Sequence, residues 1–150
     1  MKLIGGLVVV LIIIGGGYYF VCNSSADSIL LEVTDWEYET SFGMYYIELT
    51  TSIEYTGFLS TTLSERELTL YINEINLGTI GFSEAWEKFN SGSKNEYTGT
   101  YGTSNEEDID ELTSASTYNI VIKFKANAQV GIIKKYIEKR AESSSSVEHW

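Results

Sequence analysis

The sequence predicts a mostly β chain: an N-terminal transmembrane helix, then an immunoglobulin- or fibronectin-like antiparallel β-sandwich with one or two short helices. Three observations carry this. Leu3 to Cys22 form 20 consecutive residues without a charge. Beyond Ser28, apolar residues recur at every second position in several runs, as half-buried strands require. Turn-forming residues interrupt those runs at short intervals. The 150 residues suit one domain with an appendage, and 43% hydrophobic residues suffice for a core.

The apolar segment comes first. As a helix it would span about 30 Å, the thickness of a bilayer's hydrocarbon core. Val8 to Ile14 is rich in β-branched residues, but in lipid a helix pairs every backbone group internally. Tyr18 and Tyr19 suit an interface. Lys2 precedes the segment, and Asp27, Glu32, Asp35, Glu37 and Glu39 follow it. The positive-inside tendency therefore sets a single-pass protein in the cell membrane, with its N-terminus cytoplasmic and its domain extracytoplasmic. Two rival readings are a secretory signal cleaved after Ala26 and a lipoprotein anchor at Cys22, which Val21 disfavours. Gly5, Gly6, Gly15, Gly16 and Gly17 offer places for another helix to pack, although no GxxxG spacing occurs. Asn23-Ser24-Ser25 is a glycosylation sequon, making Asn23 a candidate site on the outer side.

After a polar stem, Asn23 to Ser28, the period changes to two. The expected boundaries are 1–26 for helix and stem, 27–142 for the sandwich and 143–150 for a flexible tail. Ile29, Leu31 and Val33 suggest a first strand, with Glu32 facing out. Met44 to Tyr55 is the clearest strand: Tyr45, Ile47, Leu49, Thr51, Ile53 and Tyr55 share one face, and Glu48 and Glu54 the other. Leu68, Leu70 and Ile72 mark another strand, and Asn73 to Gly78 a hairpin. Ser83 to Asn90 reads as a short helix with Ala85, Trp86 and Phe89 apolar, and Glu96 to Tyr101 as a short strand. Asn105 to Ala115 reads as a helix, with Ser104 and Glu107 forming a capping box and acids in the first turn. Tyr118, Ile120, Ile122, Phe124 and Ala126 mark a long strand. Val130 to Glu142 fits both periods, and a final strand is favoured. The total is about seven strands.

Within this order, a long second strand is followed by Leu70-Tyr71-Ile72-Asn73 and, three residues on, Leu77-Gly78. The arrangement, over about residues 28–140, resembles the type 2 late-embryogenesis-abundant domain, also called the water-stress and hypersensitive-response domain. The Asn-Pro pair that this family usually carries after its long strand is Tyr55-Thr56-Gly57 here, and the chain has no proline. The resemblance implies a sandwich with a non-catalytic role, such as protecting or tethering surfaces under stress.

The residues themselves point away from catalysis. There is one histidine, His149, in the tail, and one cysteine, Cys22, so neither a disulfide framework nor a multi-cysteine metal site can form within the chain. No phosphate loop, Gly-x-Ser-x-Gly elbow or His-Glu-x-x-His motif occurs. Glu48 and Glu54 lie about 20 Å apart along one strand, too far for paired carboxylates, which work within roughly 10 Å. Glu106-Glu107-Asp108 with Asp110-Glu111 is dense enough to invite Ca²⁺, but it lacks EF-hand spacing and reads better as a solvated helix start. A net charge of −11 argues against nucleic acid. Charge is uneven: residues 27–111 hold 18 acids against Arg66, Lys88 and Lys94, whereas Lys123, Lys125, Lys134, Lys135, Lys139 and Arg140 cluster near the end against Glu138. Pairing between neighbouring strands is the preferred explanation; head-to-tail contact of dipolar subunits is the alternative. The expectation is a non-enzymatic protein with a structural, stress-protective or interaction role, without catalytic residues, cofactor, metal or identified small-molecule substrate. Its expected partners are the lipid bilayer and other protein subunits. The alternative is a subunit of a surface filament or multi-subunit membrane complex, packing through the apolar helix.

Overall fold

A computed structural model describes residues 16–147. A helix, α1, runs over 16–26. It leads into β1 (Ile29–Ser41), β2 (Met44–Tyr55), β3 (Thr61–Ile72), β4 (Ile75–Gly81), β5 (Trp86–Phe89) and β6 (Lys94–Thr103). A second helix, α2 (Glu106–Ser114), precedes β7 (Thr117–Val130) and β8 (Ile133–Ser146). All strand pairings are antiparallel. One sheet has the order β1-β2-β6; the other runs β4-β3-β7-β8, with β5 beside β4 on the free edge of β3. The two sheets enclose one apolar core.

That core follows from the alternation. Tyr45, Ile47, Leu49, Ile53 and Tyr55 are buried on one face of β2, and Glu48 is exposed on the other. Leu68, Leu70 and Ile72 of β3 and Tyr118, Ile120, Ile122, Phe124 and Ala126 of β7 join the same cluster. Bulges in β1 and β3 reset the alternation. In β1 the pairing shifts between Val33 and Asp35, so inward residues pass from Leu31 and Val33 to Trp36 and Tyr38. Those two rings pack with Tyr45 and Tyr118. In β3 the shift lies between Ser64 and Glu67, with Glu65 at φ 51°. It turns Arg66, buried to 5% exposure, into phase with Leu68 and Leu70.

Several expectations need correction. No helix among the described residues is long and apolar enough to cross a membrane. The predicted transmembrane helix is therefore overturned, and with it the single-pass placement in a cell membrane with an extracytoplasmic domain. At 1.5 Å per residue the described part of α1, 16–26, covers about 16 Å. Its last turns belong to the sandwich: Cys22 and Ala26 are completely buried, Ser25 nearly so, and the Ser25 Oγ accepts a hydrogen bond from Leu59 N at 3.4 Å. The supposed stem is thus mostly helix. Residues 1–15, with Gly5, Gly6 and Gly15, lie outside the described residues.

Inside the domain, the expected helix at 83–90 is replaced by β5. Its Phe89 is buried and pairs with Thr61, because the first half of β3 needs an edge partner that β4 does not reach. The cap of α2 is Asn105, not Ser104: its side chain accepts from Glu107 N and Asp108 N. The tail expected from residue 143 is the end of β8, paired with β7 as far as Thr117–Ser146. The expected immunoglobulin- or fibronectin-like arrangement of about seven strands is met only as two antiparallel sheets, with eight strands among the described residues.

Candidate functional site

Two features stand out among the described residues: a buried polar bridge between the sheets, and a strong charge contrast between their outer faces.

The bridge is centred on Arg66. Its guanidinium pairs with the Glu87 carboxylate, donates to the Glu84 carbonyl at 3.0 Å and lies 4.4 Å from the centre of the Phe82 ring. Glu87, on β5, also accepts from Asn95 Nδ2 at 2.7 Å and from the Tyr97 hydroxyl at 2.6 Å. Asn95 and Tyr97 belong to β6, so this carboxylate ties one sheet to the other. Burial, together with the bond to the Glu87 carboxylate, pushes the Tyr97 hydroxyl well above the ordinary tyrosine pKa. A carboxylate that already accepts three donors has little left for a substrate, and the guanidinium is covered and bonded through both terminal nitrogens, its Nε alone being buried without a partner. The arrangement can clamp the sheets; it is not poised to move a proton. Sequence reading missed Arg66. The available signal was its phase, since Arg66, between Glu65 and Glu67, shares the even-numbered face with Leu68, Leu70 and Ile72.

The outer face of the three-stranded sheet is acidic. β1 contributes Glu32, Asp35, Glu37 and Glu39, all exposed; β2 contributes Glu48 and Glu54; β6 adds Glu96 against a single Lys94. Glu37 stands directly opposite Glu48. Glu37, Glu39, Glu48, Tyr38, Tyr46 and Thr100 line an open concavity of about 440 Å³. The outer face of the larger sheet is cationic by comparison. It carries Lys88, Lys123, Lys125, Lys134 and Arg140, with Glu67, Glu138 and Glu142 among them. Lys123 stands directly opposite Arg140 and lies 5.0 Å from the Tyr71 ring centre. These three side chains, with Glu74, Asn119 and Val121, line a shallower concavity of about 200 Å³.

Among the described residues, the basic run near the chain end finds only part of its charge balance. Lys135 pairs with Asp27, joining β8 to the end of α1, and Arg140 pairs with Glu142 on its own strand. Lys125 lies between Glu67 and Glu138. Of the residues singled out earlier, Gly16 and Gly17 are exposed, with nothing within 4 Å of where a Cβ would stand; no helix packs on them among the described residues. Asn23 is half-buried on α1. Glu106, Glu107 and Asp108 form the first turn of α2, where the dipole favours them. Among the described residues no three His, Cys, Asp or Glu side chains are placed to hold a metal ion. His149 lies outside the described residues. At the end of the sandwich next to α1, Tyr19, Phe20, Phe58 and Ile132 are each more than half exposed.

No family model matches the chain, and no curated protein matches it. Solved structures do. A Bordetella pertussis protein named ApaA superposes with a TM-score of 0.53 at 15% identity, covering 79% of this chain and 92% of its own. A Northeast Structural Genomics Consortium target superposes with a TM-score of 0.54 at 13% identity, covering 82% of this chain and 94% of its own. At such identities the likeness shows the fold alone: this chain shares its two-sheet architecture with both.

Proposed function

We propose that this chain is a non-enzymatic β-sandwich that works through its outer sheet faces, in an interaction or structural role. The observation that supports it best is the face of β1, β2 and β6, where seven carboxylates meet one lysine. Like charges directly opposite one another on a sheet destabilise it, and Glu37 opposite Glu48 is such a pair. A cationic partner relieves that repulsion on binding, and complementary charge raises association rate and selectivity. The resemblance to the type 2 late-embryogenesis-abundant domain implies the same class of role, stress protection included.

The test is titration of the full chain with oligolysine at low salt. Replacing Glu37, Glu39 and Glu48 by glutamine should weaken binding about fivefold or more. Removing as many charges elsewhere, through Glu107→Gln, Asp110→Asn and Glu111→Gln, should weaken it much less. Equal losses would mean that only net charge matters and that the face is not a site.

A further inference from the structure

We infer that the partner of the acidic face is a second copy of this chain: the outer face of β1-β2-β6 in one copy docks on the outer face of β5-β3-β7-β8 in the next. This rests on the reading of the sheet faces as interaction surfaces and names their partner.

Each outer face keeps a directly opposed like-charge pair of the opposite sign. On the smaller sheet it is Glu37 with Glu48; on the larger it is Lys123 with Arg140. Such neighbours have Cβ atoms about 5 Å apart and repel. Both pairs border a concavity that contains a tyrosine, Tyr46 at the acidic one and Tyr71 at the basic one. A second row of the larger face carries cations at both ends, Lys88 and Lys134, with only Thr62 and Gln129 between them. The row beside it has Trp86 at one end and Tyr136 at the other, each more than half exposed. Aromatic side chains of this kind anchor interfaces. Carboxylates face this sheet too. Glu67 and Glu138 flank Lys125, Glu142 holds Arg140, Glu65 accepts from Asn127, and Glu74 lines the concavity beside Lys123 and Arg140. They leave the Lys123 and Lys88–Lys134 rows as the places where a neighbour's acids gain most.

The two faces differ, so the contact is heterologous: each open assembly, whatever its length, ends in one free face of each kind. Such contacts grow open chains rather than closed dimers, unless the rotation happens to close a ring. Three strands about 4.8 Å apart and some ten residues long offer roughly 450 Å². A standard interface uses about 800 Å² per partner. The contact is therefore weak, and its strength depends on charge and hence on salt.

Sedimentation of the full chain in a non-ionic detergent, across a salt series, tests this. The mean mass should rise with protein concentration near about 20 mM salt. Association should weaken about tenfold or more by roughly 300 mM, where the Debye length is well under 10 Å. Glu37→Lys with Glu48→Lys gives each face a central cationic pair, and Lys123→Glu with Arg140→Glu gives each a central acidic pair. Each double variant alone should stay monomeric, and an equimolar mixture should associate again. A wild-type chain that is monomeric at low salt, variants that associate as the wild type does, or a mixture that stays monomeric would each overturn the inference. If oligolysine still binds through Glu37, Glu39 and Glu48 while copies ignore one another, the face remains an interaction surface and only the second copy is wrong.

Discussion

Arg66 carries the most consequential single contact. Its side chain is 2% exposed, and its charge is balanced by Glu87, which also holds Asn95 and Tyr97 on the opposite sheet. Removing one member of a buried pair leaves an uncompensated charge, which costs about 3–5 kcal/mol, whereas replacing both by apolar residues is often neutral. Glu87→Ala should therefore lower stability by about 3 kcal/mol in urea denaturation. Arg66→Met with Glu87→Leu should recover most of that loss. If the double variant is as unstable as the single one, the pair matters for shape rather than charge. Arg66 was legible in principle, as a charge in phase with three core residues. Its partner was not: Glu87 lies 21 positions away, on a segment whose apolar spacing suggested a helix.

Turns decide where the strands reverse. Phe42 and Gly43 between β1 and β2 have φ of 51° and 73°, and Asn73 and Glu74 between β3 and β4 have 50° and 70°. Two successive positive values describe the type I′ turn, which matches the twist of a hairpin and favours Asn-Gly. Glutamate at the second position is held in a left-handed conformation that costs about 1–2 kcal/mol relative to the right-handed one. Glycine avoids this, at some entropic cost in the unfolded chain. Glu74→Gly should thus raise stability by roughly 0.5–1 kcal/mol, read as a higher urea midpoint with an unchanged slope. A lower midpoint would show that Glu74 makes a contact worth more than its strain. At this scale, sequence reading succeeded where one alternation runs unbroken, as in β2 and β7. It shortened β1 and β3 because the bulges at Thr34 and Glu65 shift the phase. It lost the end of β8 because Ser143 to Ser146 have no apolar pattern; their pairing with β7 holds them in the sheet.

For the whole molecule, the tyrosines set a pH limit. Burial pushes Tyr45, Tyr97, Tyr101 and Tyr118 above the ordinary value of 10.0, since a phenolate loses its hydration inside the core. Below about pH 10 both folded and unfolded chains keep these protons, and stability is unaffected. Above it the unfolded chain releases them while the folded chain does not, so the unfolded state binds fewer protons and stability falls as pH rises. An alkaline titration should show phenolate absorbance from these residues rising together with loss of tertiary circular dichroism, above pH 10. Tyr45→Phe should make the loss shallower. Smooth ionisation of all tyrosines near pH 10 in a chain that stays folded would contradict their burial.

By itself the sequence determined the class of the chain: alternation at Tyr45 to Tyr55 and Tyr118 to Ala126 dictates which faces are buried, because a strand's side chains alternate whatever its neighbours are. It also determined the uneven charge along the chain. Only the tertiary structure decided what those charges do. Register places Glu37 against Glu48 and Lys123 against Arg140, and pairings between strands far apart in sequence are not visible in any local pattern. The same holds for the end of the apolar segment. Composition alone suits a membrane, but Cys22 and Ala26 are packed into the sandwich, since a surface to bury them exists only once the end of β2, the loop after it and the β7–β8 turn have come together.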